Sequence, residues 1–99
     1  MSFELNFKPL AEAEVAEAHA WYSQPDINMG AEFVEELERI ERFIRFNPLL
    51  YPRVEAEIHR ANLRRFPYSL FYVVDGEAVN VLSCFHQHRD PKDPWSVAR

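Results

Sequence analysis

Ninety-nine residues, 47% of them hydrophobic and 14% aromatic, are enough for one domain with its own core and too few for two. A net charge of −5, from 11 basic and 16 acidic residues, argues against a nonspecific nucleic-acid binder, which works by neutralising phosphates. The single cysteine, Cys84, excludes an internal disulfide, and no apolar run approaches the roughly 20 residues of a membrane-spanning helix. The start, MSFELNFKPL, lacks the basic region and long apolar core of a signal peptide. These features describe one soluble, cytoplasmic domain over residues 1–99 with no membrane partner.

In chain order, Ser2–Phe7 alternates, with Phe3, Leu5 and Phe7 on one face, which predicts a short half-buried strand. Pro9 suits the first turn of a helix, and Leu10–Tyr22 continues it with Ala and Glu; Val15, Ala18 and Tyr22 share a face. Gln24–Asn28 breaks the pattern. From Met29 to Phe46, Phe33, Leu37, Ile40 and Ile44 form one apolar stripe, and Asn47-Pro48 stops the helix. Two helices with a short connector predict an αα-hairpin. Leu49–Arg53 reads as a loop. A strand from about Glu57 to Arg64 would place Arg60, Asn62 and Arg64 on one face and His59, Ala61 and Leu63 on the other. Tyr68–Val74 and Ala78–Phe85 alternate on either side of Asp75-Gly76, which predicts a tight β-hairpin. The order is therefore β-α-α-β-β-β, an α+β domain.

Charge is divided unevenly. Residues 1–50 hold 4 basic and 10 acidic groups, whereas residues 51–99 hold 7 and 6. The cations gather around the hairpin: Arg64 and Arg65 precede its first strand, and His86, His88 and Arg89 follow its second. In an antiparallel pair those two ends are neighbours. Together with Arg60 they suit a phosphate or an acidic peptide. As a ribonuclease site, His86 or His88 would transfer protons, and Arg64 and Arg89 would clamp the phosphate. The same residues equally suit a solvated rim of surface ion pairs with Glu55, Glu57 and Asp90, each worth little. His86-x-His88 lacks the further ligands of a zinc site, so no metal or cofactor is expected. Trp95, after the rigid Arg89-Asp90-Pro91 turn, either packs back on the domain or meets a partner. Cys84 reads as a small buried apolar residue.

The stretches GAEFVEELERIERFIRFNPLLYP, LRRFPYSLFYVV and VNVLSCFHQHRDP, with Phe66-Pro67-Tyr68 and His86-x-x-Arg89-Asp90-Pro91 before Trp95, resemble the RelE/ParE superfamily of bacterial type II toxin–antitoxin toxins, the plasmid stabilisation group. The resemblance covers nearly the whole chain. It implies a helical hairpin packed on a small, mainly antiparallel sheet. It also implies a growth-inhibiting toxin neutralised, in a heteromeric complex, by a cognate antitoxin encoded by an adjacent gene. Such antitoxins wrap an extended segment around the toxin. RelE-like members cut messenger RNA on the ribosome without a metal; ParE-like members bind and poison DNA gyrase. The nuclease branch sets cations at alternating positions of its second strand, and an arginine after the tyrosine that opens the third. Here the matching positions are Arg60 and Asn62, and Ser69 follows Tyr68. The resemblance therefore favours ParE-like binding over catalysis, with Arg60, Arg64, Arg65, His86, His88, Arg89 and Trp95 as contacts for target or antitoxin. A metal-independent endoribonuclease is the alternative, and a degenerate toxin that only binds its antitoxin is a third reading.

Overall fold

A computed structural model describes residues 2–87. Alternation makes Glu4–Phe7 a strand (β1), and Lys8 in extended geometry leads Pro9 into the helix Pro9–Tyr22 (α1). Gly30–Phe46 forms the second helix (α2). Its predicted stripe is the buried one, with Phe33, Leu37, Ile40 and Ile44 all inside. Asn47, extended as a residue before proline prefers, ends it. Four strands follow: Arg53–Glu55 (β2), Ile58–Asn62 (β3), Tyr68–Asp75 (β4) and Ala78–His86 (β5).

The five strands form one sheet in the order β1-β5-β4-β3-β2. Only β1 runs parallel to its neighbour, pairing Glu4 with Ala78 and Phe7 with Val81; the other pairs are antiparallel. The sheet is thus mainly antiparallel, with one strand more than the sequence suggested. That strand, β2, falls at the end of the expected loop. Its only signal is a weak alternation of Val54, Ala56 and Ile58 that runs on into the next strand, and all three of its residues are exposed. The hairpin turn also differs in detail. Asp75 pairs with Ala78, so the loop residues are Gly76 and Glu77, and Gly76 takes the positive φ of 62°.

Both helices pack on one face of the sheet. There Ala61, Leu63, Leu70, Tyr72, Val79, Val81 and Cys84 meet Ala11 and Ala18 of α1 and the stripe of α2. Each fully buried large side chain in this layer contributes roughly 1.5–3 kcal/mol relative to exposure. Aromatic rings close one end. Tyr22 stacks on Phe33 at 5.4 Å, and Phe66 meets both edge-on, at 4.8 Å from Tyr22 and 5.3 Å from Phe33. The helices come together tightly where they join. A Cβ on Gly30 would crowd the Ser23 Cβ at 3.2 Å and the His19 ring at 3.3 Å, and the Ser23 hydroxyl would have to rotate away.

The far face of the sheet carries a second, smaller apolar cluster of Ile58, Phe71, Leu82 and Phe85, with Val73 beside it. A β-bulge feeds it. Tyr72 pairs with Val81 but Phe71 pairs with Ser83, so Leu82 is the extra residue on β5. Beyond Val81, β5 has lost β1 as a neighbour, and α1 takes over. The Glu14 carboxylate accepts hydrogen bonds from the Ser83 hydroxyl (2.7 Å) and the Cys84 N–H (2.9 Å). A side chain thus completes the ladder where the strand ends. Among the described residues no helix is long and apolar enough to cross a membrane.

Candidate partner-binding surface

Strand alternation decides which chemistry reaches which face. On β3, His59 and Ala61 turn towards the helices, and Arg60 and Asn62 turn away. Arg60 lies opposite Phe71 in register, and Asn62 lies opposite Ser69, itself opposite Phe85. The Ser69 hydroxyl donates to the Asn62 side-chain oxygen at 2.5 Å. Arg60, exposed, therefore stands beside an apolar cluster and a neutral polar pair. Next to them is a hollow of about 460 Å³ whose floor is Ile58, Val73 and Leu82. Lys8, Glu57 and Asn80 stand at its rim. The hollow abuts the β2–β3 turn, where Ala56 adopts a φ of 48°. This face sets the exposed Arg60 and the Asn62–Ser69 pair beside a buried apolar cluster, with Lys8 and Glu57 nearby.

The loop between β3 and β4 presents Arg64 and Arg65, and α2 holds it in place. Glu36 lies within the apolar stripe of α2 and is buried there. Its carboxylate accepts from the Arg64 backbone N–H at 2.8 Å and from the Arg39 guanidinium at 2.7 Å. The Arg39 hydrogen bond keeps the Glu36 carboxyl below its ordinary range, against the opposing effect of burial. With its amide held, Arg64 keeps its side chain exposed. Arg65, also exposed, sits 5.9 Å from the centre of the Phe66 ring. Cation–π contact at that range is worth about 0.5–1 kcal/mol in water.

His86 ends β5 opposite Tyr68, with the two rings edge to face at 5.0 Å. It shares the side of Cys84, the helix-covered side, and lines a hollow of about 520 Å³ with Trp21, Tyr22, Glu17 and Tyr68. Arg60 and His86 thus project to opposite faces of the sheet. Arg64 and Arg65 occupy the loop at the end of the sheet where His86 lies, since Gln87 N–H bonds the Pro67 carbonyl. His88, Arg89, Asp90 and Trp95 lie outside the described residues.

The other histidine of the sheet is structural. His59 stacks on Tyr72 at 5.1 Å, and its Nδ1–H donates to the Tyr51 carbonyl at 2.7 Å. The buried Tyr72 hydroxyl donates to the Pro48 carbonyl at 2.6 Å, and burial pushes its pKa up. The Cys84 thiol is pushed up to about 12, chiefly by burial, so it is neutral and unreactive near neutral pH. Among the described residues no group of three His, Cys, Asp or Glu side chains could hold a metal ion. Glu36 and Glu14 escaped sequence reasoning. Glu36 had a signal, a carboxylate inside the stripe of Phe33, Leu37 and Ile40; Glu14 had none, because its partners lie at the far end of the chain.

No family model and no curated protein matches the sequence. Solved structures do match. A chain of the chromosomal ParDE TA system from P. aeruginosa superposes with a TM-score of 0.72 at 15% identity, over 86% of this chain and 96% of that one. The YoeB dimer from Staphylococcus aureus gives a TM-score of 0.56 at 17% identity, over 85% and 95%. With two helices on one face of a five-stranded sheet whose first strand runs parallel to its last, the chain has the RelE/ParE-like fold.

Proposed function

We propose that this chain is the toxin of a type II toxin–antitoxin module. An antitoxin encoded by an adjacent gene neutralises it in a heteromeric complex. The free toxin inhibits growth in the ParE manner, by binding a target such as DNA gyrase rather than by cutting RNA. The observation that carries this reading is the likeness to the ParDE chain, which spans nearly the whole of both molecules. The far face of the sheet supports binding. Among the described residues, Arg60 there lies beside Phe71 and the Asn62–Ser69 pair, while His59 is committed to the Tyr51 carbonyl on the opposite face and His86 projects to that opposite face as well.

Arg60, Arg64, Arg65 and His86 are the contacts we assign among the described residues, with His88, Arg89 and Trp95 continuing the set. Expression with and without the adjacent gene provides the test. The chain alone should arrest growth and inhibit gyrase supercoiling while messenger RNA stays intact, and co-expression of the antitoxin should restore growth. Codon-spaced cuts in translated messenger RNA, with supercoiling unaffected, would replace this reading with a RelE-like endoribonuclease. Normal growth from the chain alone would reduce it to an antitoxin-binding module.

A further inference from the structure

Helix α2 buries one stripe and leaves its opposite face bare, and the bare face is patterned. Ala31, Glu35, Glu38, Arg42 and Arg45 recur at intervals of four, three, four and three, on the side away from Phe33, Leu37, Ile40 and Ile44. All five are exposed. Their charges are antisymmetric about Ile40: Glu38 and Arg42 lie two residues to either side of it, and Glu35 and Arg45 five. None of these four makes a salt bridge among the described residues, where the ion pair of α2 is Arg39 with Glu36. Glu38 and Arg45 act on the Glu41 carboxyl only at longer range.

Apolar surface adjoins the charged stripe. Phe46, Leu49 and Leu50, at 79%, 70% and 60%, are the most exposed large apolar side chains of the described residues, and they follow one another where α2 ends. Phe43, also exposed, precedes them beneath the Arg39 guanidinium, 5.5 Å from its ring centre. The helix dipole alone favours acidic residues early and basic ones late. It gives no reason to expose two rings and two leucines at one place, and such a concentration of apolar surface marks an interaction site.

We propose that the outer face of α2 is an interface between two copies of this chain, packed antiparallel about a two-fold axis at Ile40. That symmetry sets each residue level with the one equally far from Ile40 on the other helix. Glu38 then meets Arg42 of the second copy and Glu35 meets Arg45, and the axis makes each pair twice. Phe46 comes level with the half-buried Val34 of the second copy. Charge selects the occupant: a uniformly acidic or basic segment meets like charges over half of the stripe, whereas an antiparallel copy carries the complementary order along its length. The exposed pairs add little energy and set the register, while the apolar side chains supply the attraction. Because the interface lies on the helix layer, both copies keep Arg60 and the far face of the sheet open. The inference does not depend on the toxin–antitoxin reading.

Sedimentation velocity of the purified chain over a range of concentrations tests it, and a shift from monomer to dimer with rising concentration is expected. Arg42→Glu should raise the dissociation constant by about tenfold or more. The Glu38→Arg/Arg42→Glu double variant should return it to within a few-fold of the wild type, because the swapped pair is again complementary across the two-fold axis. Thermal melts show that each variant is folded. A chain that stays monomeric at every concentration would overturn the interface, as would a folded Arg42→Glu variant that dimerises like the wild type. A double variant as weak as the single one would overturn the antiparallel register. Loss of binding to some other protein in both variants, with the chain itself monomeric, would assign the face to that partner instead.

Discussion

On the helix-covered side of the sheet, each polar group that enters the apolar layer finds a partner. His59 meets the Tyr51 carbonyl, Tyr72 the Pro48 carbonyl, and Glu36 both Arg39 and the Arg64 amide. The far side is organised differently, with four buried apolar residues beside the exposed Arg60 and the Asn62–Ser69 pair. Stability is concentrated in the first region, where large rings and long-range hydrogen bonds coincide. On the proposed reading, recognition falls to the exposed Arg60 of the second region and to the sheet's ends, where exposed side chains can change without disturbing the core.

Substitutions on the two sides should therefore separate in size. Phe33 is fully buried and touches three other rings, so Phe33→Ala should cost about 3–5 kcal/mol in urea unfolding. A loss below about 1 kcal/mol would remove the distinction between the two faces. Tyr72→Phe deletes one oxygen and leaves the Pro48 carbonyl unpaired in the core, which should cost about 1–3 kcal/mol by the same measurement.

Glu36 gives the comparison a pH dependence. Its carboxyl is held below the ordinary glutamate value of about 4.3, so the stability it supplies is full above that value and is lost as pH falls through the lowered one. The melting temperature of the wild type should fall on acidification, and Glu36→Gln should show a shallower fall over the same range. Parallel profiles would show that Glu36 does not couple protonation to folding. At the small end, Arg60→Ala on the far face should change stability by less than about 0.5 kcal/mol while weakening target binding. A large loss of stability there would make Arg60 part of the scaffold.

The sequence exposed those parts of the fold that repeat locally. The α2 stripe of Phe33, Leu37, Ile40 and Ile44 is buried as its spacing required, and the alternation of His59, Arg60, Ala61 and Asn62 sorted them correctly between the two faces. Features set by distant partners were not legible. Glu14 bonds to Ser83 and Cys84 only because α1 replaces β1 along β5, and the Leu82 bulge arises from the register with β4. Strand β2 shares only a weak alternation with the strand that follows, and pairing with β3 defines it as a separate strand. At the candidate site, residue types pointed to one end of the sheet, but the opposite projection of Arg60 and His86 depended on a register that spacing alone does not give.

The parallel pairing of β1 with β5 also sets the order of assembly. Glu4 cannot meet Ala78 until every element from β1 to the β4–β5 turn is available, whereas α1, α2 and the β4–β5 hairpin are closed by local contacts. Non-local pairings carry the larger loop-closure cost and form late. On a translating ribosome β1 therefore waits, without its partner, until Ala78–His86 has emerged, and the finished sheet appears only then. Refolding from denaturant should accordingly end in a phase that joins the chain's beginning to its final hairpin.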